Sequence, residues 1–216
     1  MTPLFITGIG TGVGKTLVSA IITEALKADY WKPVQAGTAN SDSEWIKSIL
    51  PGAPIHAETY RLKLAASPHI AAREENDRID LNRILLDFRN IKATSPPEYL
   101  VIEGAGGLMV PLNDEEFVID LIEKLNASVI LVSRNYLGSI NHSLLTAEMC
   151  RSRGLNVIGW VFNDQYLDYE SEIVKWSGYP SIASIPHARS AGTEFVIHEA
   201  EKFRQSWKQL SPQKHH

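Results

Sequence analysis

Nine residues near the N-terminus constrain this chain more than any other feature. Gly8-Ile9-Gly10-Thr11-Gly12-Val13-Gly14-Lys15-Thr16 follows the apolar run Leu4-Phe5-Ile6-Thr7. It precedes a stretch in which Leu17, Val18, Ile21, Ile22 and Leu26 recur at helical spacing. A buried strand, a glycine-rich turn and a helix are therefore expected in succession, which is the context a phosphate loop requires. The usual spelling of that loop puts four residues between its first glycine and the Gly-Lys pair. Here five separate Gly8 from Gly14, so the match is to a variant. The chemistry is unchanged: glycines let backbone N–H groups approach phosphate oxygens, and the helix N-terminus adds a partial positive charge. Lys15 supplies a full charge to the β- and γ-phosphates, and the Thr16 hydroxyl suits Mg²⁺. Residues 10–17, ending at Leu17, are the expected contacts of a nucleotide, ATP.

Short apolar runs alternate with helix-period stretches along the rest of the chain. Strands are expected at 30–34, 99–102, 128–133, 157–162 and 182–185. Helices are expected at 15–28, 41–50, from Asp80 through Phe88, and at 117–125, 139–153, 168–176 and 194–210. Residues 35–40 read as a polar loop at a strand end. Residues 51–79 read as a long excursion with a short helix near Ile70. Continuously apolar strands alternating with helices imply an α/β fold of the P-loop type: one domain over residues 1–210, its mostly parallel central sheet covered by helices on both faces. The polar tail 211–216 ends in His215-His216, which reads as a tag remnant and is left out of the chemistry.

Ligands of such sheets bind beyond the carboxyl ends of the strands, and the polar residues of interest cluster at those ends. Tyr99-Leu100-Val101-Ile102 runs into Glu103, where P-loop proteins keep a carboxylate near the metal. Gly104-Ala105-Gly106-Gly107 follows at once, a composition suited to close backbone packing. Lys32 lies inside a strand, where a solvated lysine is not expected if both sheet faces are covered; its charge is expected to face an anion near the γ-phosphate. Asp42 offers a further oxygen to Mg²⁺, although an aspartate at that position is also an ordinary helix-start residue.

Composition narrows the partners. Twenty-one basic and 25 acidic side chains give a net charge of −4 without a dense basic run, which argues against nucleic acid. Small anions remain accessible to a locally positive pocket. With no apolar run near the roughly 18 residues of a membrane span and no leader pattern, a cytoplasmic protein without membrane contact is expected. The single cysteine, Cys150, excludes an intramolecular disulfide and a cysteine-clustered zinc site. It reads as a small buried hydrophobe.

Taken in order, these residues resemble the dethiobiotin synthetase family. The matching pieces are Gly8-x5-Gly14-Lys15-Thr16, Trp31-Lys32-Pro33-Val34-Gln35-x-Gly37 and Asn40-Ser41-Asp42. Ser67-Pro68-His69-Ile70-Ala71-Ala72, Val101-Ile102-Glu103-Gly104-Ala105-Gly106-Gly107, Leu137-Gly138-Ser139-Ile140-Asn141-His142 and Gly159-Trp160-Val161-x-Asn163 complete the set. The resemblance extends to about Pro186. It implies an ATP- and Mg²⁺-dependent ligase of biotin biosynthesis that joins CO₂ to 7,8-diaminononanoate through a carbamate and a carbamic–phosphoric anhydride. It further implies that Thr16, Asp42 and Glu103 hold Mg²⁺ and that Lys15, Lys32 and Thr11 act in catalysis. Thr11, Lys32, Ala36 and Gly107 would border the substrate. Asn163, Pro186 and His187 would border the adenine. The family is a homodimer, so Leu137, Gly138, Ser139 and Asn141 would receive the substrate carboxylate from across the interface. His69 and His142 fall in matching motifs, with packing or interface hydrogen bonds as their expected role.

This chain departs from the pattern at Ala36, where many relatives carry Ser or Thr, and at Gly12, where some carry an acid. The final helix matches no family pattern. Two rivals share the phosphate loop. Corrinoid amidotransferases add a glutaminase domain with a nucleophilic cysteine, whereas this chain is short and Cys150 lies in a helical segment. Partition and septum-positioning ATPases carry a second lysine where this chain has Gly10. They often end in a basic membrane-binding helix, whereas here Glu199, Glu201, Lys202 and Arg204 mix both signs.

Overall fold

The computed structural model describes residues 1–39, 41–94, 97–164, 167, 169–188 and 191–210. Asn40, Asp168 and the tail 211–216 lie outside the described residues. The first strand, β1 (Thr2–Gly8), leads through the glycine loop into α1 (Lys15–Leu26). Helix α1 stops two residues before the expected end, because Lys27 adopts a left-handed conformation (φ 49°) and donates its N–H back to the last turn. The chain then forms β2 (Asp29–Trp31), β3 (Val34–Ala36), α2 (Asp42–Ile49), β4 (Ile55–His56) and β5 (Tyr60–Leu62). Next come α3 (Pro68–Glu74), α4 (Leu81–Thr94), β6 (Tyr99–Gly107), α5 (Val118–Leu125) and β7 (Ser128–Arg134). The last elements are α6 (Ser139–Ser152), β8 (Val157–Asn163), α7 (Glu170–Ser177), β9 (Ser181–Ile185) and α8 (Thr193–Leu210).

Seven strands form one sheet in the order β4-β2-β6-β1-β7-β8-β9, and every pairing in it is parallel. Side chains alternate across this sheet. Leu4 and Ile6 pack with Val18 and Ile22 of α1 and Phe203 of α8 on one face. Phe5 joins Ile84 of α4, Ile119 and Ile122 of α5 and Cys150 of α6 on the other. The α/β expectation thus holds, with strand β1 at the centre and its phosphate loop at the carboxyl edge of the sheet.

The structure departs from the sequence reading in several further places. The strand expected at 30–34 is two strands broken at Lys32-Pro33, since proline donates no N–H to a ladder. Strand β3 leaves the main sheet and pairs with β5, so residues 34–36 of the expected strand end and loop are extended. The excursion at 51–79 holds the short helix expected near Ile70, as α3, but also β4 and β5; strands of two or three residues are too short to show a period. Strand β6 runs on to Gly107, so its glycines are strand residues that allow close packing. A Cβ at Gly104 would sit 2.6 Å from the Phe5 ring. Helix α7 begins at Glu170, and Ser41, as expected, caps α2 by accepting from the Glu44 N–H at 3.4 Å.

Candidate active site

The phosphate loop takes its shape from glycines where no other residue fits. Gly14 is the N-cap of α1 at φ 91°, and a Cβ there would lie 1.9 Å from the Asn163 amide nitrogen. Having no side chain, Gly14 offers α1 no cap, which leaves the first-turn N–H groups open to an anion. Asn163, at the end of β8, donates its amide to the Val13 carbonyl at 2.9 Å and so ties the loop to the neighbouring strand.

Behind the loop, three elements bring their polar groups to one point. Thr16 Oγ1 lies 2.9 Å from Asp42 Oδ1 and 2.9 Å from Glu103 Oε1, and its one proton satisfies only one of them. The Lys32 ammonium donates to Asp42 Oδ2 and, at 3.0 Å, to Glu103 Oε1. Asp42 is positioned by its helix start and by Gln35, whose side-chain oxygen accepts the Asp42 N–H at 3.2 Å. Glu103 is 1% exposed. Its second oxygen, Oε2, accepts the Tyr30 hydroxyl at 2.9 Å. Lys15 donates to the Gly10 carbonyl at 3.0 Å.

Burial depresses both lysines, and carboxylate pairing separates their fates. Burial, opposed by Glu103 and Asp42 but reinforced by Lys32, brings the Lys15 ammonium down to about 8. Lys32 is equally desolvated, but its direct pairing with Glu103 and Asp42 outweighs burial and holds its pKa above the ordinary lysine value. Burial and the adjacent Glu103 hold the Tyr30 hydroxyl well above the usual phenol range, so it remains a hydrogen-bond donor.

Two cavities flank the loop. The first, about 760 Å³, is bordered by Thr11, Lys15, Lys32, Ala36, Asp42 and Glu103, so the structure gathers most of the expected catalytic, metal and substrate residues around one space. The second, about 800 Å³, opens beside Gly12 and Val13 and is bordered by Arg134, Asp164 and His187. Arg134 grips Asp164 with two nitrogens at 2.8 and 3.1 Å, and His187 Nδ1 lies 3.2 Å from Asp164. Asn163 and Ile185 are register partners, which places Asn163, Pro186 and His187 together on this side.

The remaining expected residues lie elsewhere. Gly107 is not on the first cavity; it packs against the loop, where a Cβ would meet the Gly8 carbonyl at 3.0 Å. Leu17 packs partly buried against the α1 face of the core. Leu137 borders the second cavity and is 88% exposed. Ser139 is buried at the start of α6, and Asn141 lines a groove towards α7. His69 pairs with Ser67 at 3.1 Å and His142 with Tyr136 at 2.7 Å. The sequence reading missed Tyr30 and quoted Gln35 only as a motif residue, without a role. A buried tyrosine needs a partner for its hydroxyl, and that was the available signal. The partner depends on β2 pairing with β6, where Tyr30 stands opposite Val101, two residues before Glu103.

The residues fit Mg²⁺. Asp42 Oδ1 and Glu103 Oε1 converge on one hydroxyl, and an all-oxygen donor set with few carboxylates suits a hard cation that keeps its waters and shares phosphate oxygens. Among the described residues no group of three or more His, Cys, Asp or Glu gathers as a metal cluster. No helix among them is long and apolar enough to cross a membrane.

Known proteins share this chain's fold and much of its sequence. The AAA domain family model matches residues 2–194. The cell division ATPase MinD of Pyrococcus furiosus superposes with a TM-score of 0.58 at 14% identity, over 98% of this chain and 100% of that one. A ParA family ATPase of Chlorobium tepidum gives 0.59 at 14%, over 95% and 98%. At that identity the likeness shows the fold alone. In sequence the chain is 48% identical to the ATP-dependent dethiobiotin synthetase of Cytophaga hutchinsonii, over 96% of this chain and 99% of that one. It is 40% identical to that of Chlamydia pneumoniae, over 96% and 91%. With the phosphate loop, the two lysines and the oxygen cluster in place, the chain belongs to the ATP-dependent dethiobiotin synthetase family.

Proposed function

We propose that the protein closes the ureido ring of dethiobiotin from 7,8-diaminononanoate, CO₂ and ATP, acting in the cytoplasm as a Mg²⁺-dependent homodimer. The observation that carries this reading is the convergence of Lys15, Lys32 and Thr11 with the Thr16–Asp42–Glu103 oxygen cluster around one cavity. One amine of the substrate adds to CO₂ and loses a proton, giving a carbamate. A carbamate oxygen attacks the γ-phosphorus as the bond to ADP breaks. The second amine then attacks the resulting mixed anhydride and expels phosphate, which leaves a cyclic urea. Carbamate and triphosphate repel one another, so the chain's main task is to hold two anions side by side. Preorganised charge and positioning are what phosphoryl transfer asks of a protein.

Lys15 and the first-turn N–H groups of α1 hold the β- and γ-phosphates. Lys32, kept charged by its carboxylate neighbours, sets a second positive charge on the same cavity, and Thr11 borders both cavities. Mg²⁺, held by Thr16, Asp42 and Glu103, supplies neutralising charge to the phosphates. The adenine lies in the second cavity beside Asn163, Pro186 and His187. Leu137, Gly138, Ser139 and Asn141 serve the substrate of the partner subunit, and the exposure of Leu137 supports that placement. Light scattering at micromolar concentration is expected to give a dimer; a 24 kDa particle would contradict it. The deciding experiment supplies ATP, Mg²⁺, bicarbonate and diaminononanoate and looks by mass spectrometry for the cyclic urea. ATP hydrolysis indifferent to diaminononanoate, with no cyclic urea, would favour a partner-binding ATPase switch.

A further inference from the structure

We propose that Tyr30 is a positioning residue for the metal: its hydroxyl holds Glu103 Oε2 and so aims Oε1 at the point shared with Thr16 and Asp42. This rests on the reading that Glu103 is a Mg²⁺ ligand. Strands β2 and β6 run parallel with Tyr30 opposite Val101, so Glu103, two residues on, returns to the same face of the sheet. The neighbouring Trp31 turns to the other face and stacks on Phe88 at 6.4 Å. The Tyr30 side chain is fully buried, and its hydroxyl reaches Glu103 Oε2 at 2.9 Å across 73 residues of sequence. The two carboxylate oxygens thus have separate duties. Oε1 faces Thr16 and Lys32; Oε2 faces only the phenol among the described hydrogen bonds.

A carboxylate on a three-torsion side chain has broad freedom about its last bond. Fixing one oxygen from behind removes that freedom before any cation arrives. Partners of this kind orient a ligand, and losing one typically costs about 10–100-fold in metal affinity. With phenylalanine at position 30, Oε2 would be buried without a donor, and Glu103 would have to rotate to satisfy it.

The test measures metal binding without turnover. Mn²⁺ is titrated by electron paramagnetic resonance into the protein saturated with a non-hydrolysable ATP analogue. Affinity for the analogue alone is measured by calorimetry in chelator. Tyr30→Phe is expected to weaken Mn²⁺ about 10-fold or more and to leave metal-free nucleotide affinity unchanged. Circular dichroism checks the fold, and Tyr30→Leu repeats the titration should phenylalanine not be accommodated. On a Glu103→Gln background the Tyr30→Phe effect is expected to vanish, as coupling through one shared contact requires. Normal Mn²⁺ binding by Tyr30→Phe, with Glu103→Gln impaired, overturns the role of Tyr30 and leaves Glu103 as a ligand. Normal binding by both variants overturns the metal assignment as well.

Discussion

Replacing Lys15 with methionine is expected to stabilise the free protein while destroying its use of ATP. Lys15 is 7% exposed, and burial brings its pKa from 10.5 to about 8. A cation whose folded pKa lies below its unfolded one is held less readily by the fold than by the open chain. Below about pH 8 both states are protonated, and the fold bears the full cost of burying the charge. Between about 8 and 10.5 the unfolded chain binds more protons, so this contribution to stability rises with pH. Above 10.5 both states are neutral and the cost is gone. The gap corresponds to about 3 kcal/mol at roughly 1.4 kcal/mol per unit. Methionine forfeits the bond from the charged ammonium to the Gly10 carbonyl, worth about 2 kcal/mol, which leaves a net gain of about 1 kcal/mol near neutrality. For a chain of this size that is a rise in Tm of about 2–4 °C. The assay is urea denaturation of wild type and Lys15→Met without nucleotide or metal, across pH 7 to 10. The advantage of the variant should be largest at pH 7 and shrink as pH rises. A variant less stable than wild type at pH 7, or an advantage indifferent to pH, would refute the reasoning.

Three further outcomes are expected. Lys32→Ala should fold yet lose ~10²-fold or more in turnover, as expected on removing a preorganised charge; turnover within a few-fold of wild type would dismiss its catalytic role. Gly14→Ala should cost about 1–2 kcal/mol from its left-handed backbone and displace the Asn163 amide that its Cβ meets at 1.9 Å. Calorimetry should then find nucleotide binding lost, and wild-type affinity would count against the loop geometry. Cys150, fully buried with its thiol pushed up to about 12, should react with thiol reagents only once the protein is denatured; fast labelling of the native protein at pH 8 would contradict this.

Several features were legible because they are local. The glycines, Lys15 and Thr16 act within one turn of chain, so their spacing alone announces an anion site. The buried apolar run into Glu103 is equally readable, although the strand continues past it to Gly107. Asp42 on its own reads as an ordinary helix-start residue, and only the family resemblance gives it to the metal. The 2.9 Å approach of its Oδ1 to Thr16 brings it to the site in space. Lys32 was recognisable as a misplaced charge, but its carboxylate partners were not. Strands β3 and β5 escaped notice because pairs of three residues carry no period.

The sequence by itself determined the strand–loop–helix unit, the alternation that makes a parallel sheet, and the charge that binds phosphate, because each follows from neighbours along the chain. The tertiary structure alone decided what stands behind the metal carboxylate. Glu103 meets Tyr30 across 73 residues only because β2 lies beside β6 in one register. Register is settled by which residues each face of the sheet must bury, and the strands that share those faces lie far apart along the chain.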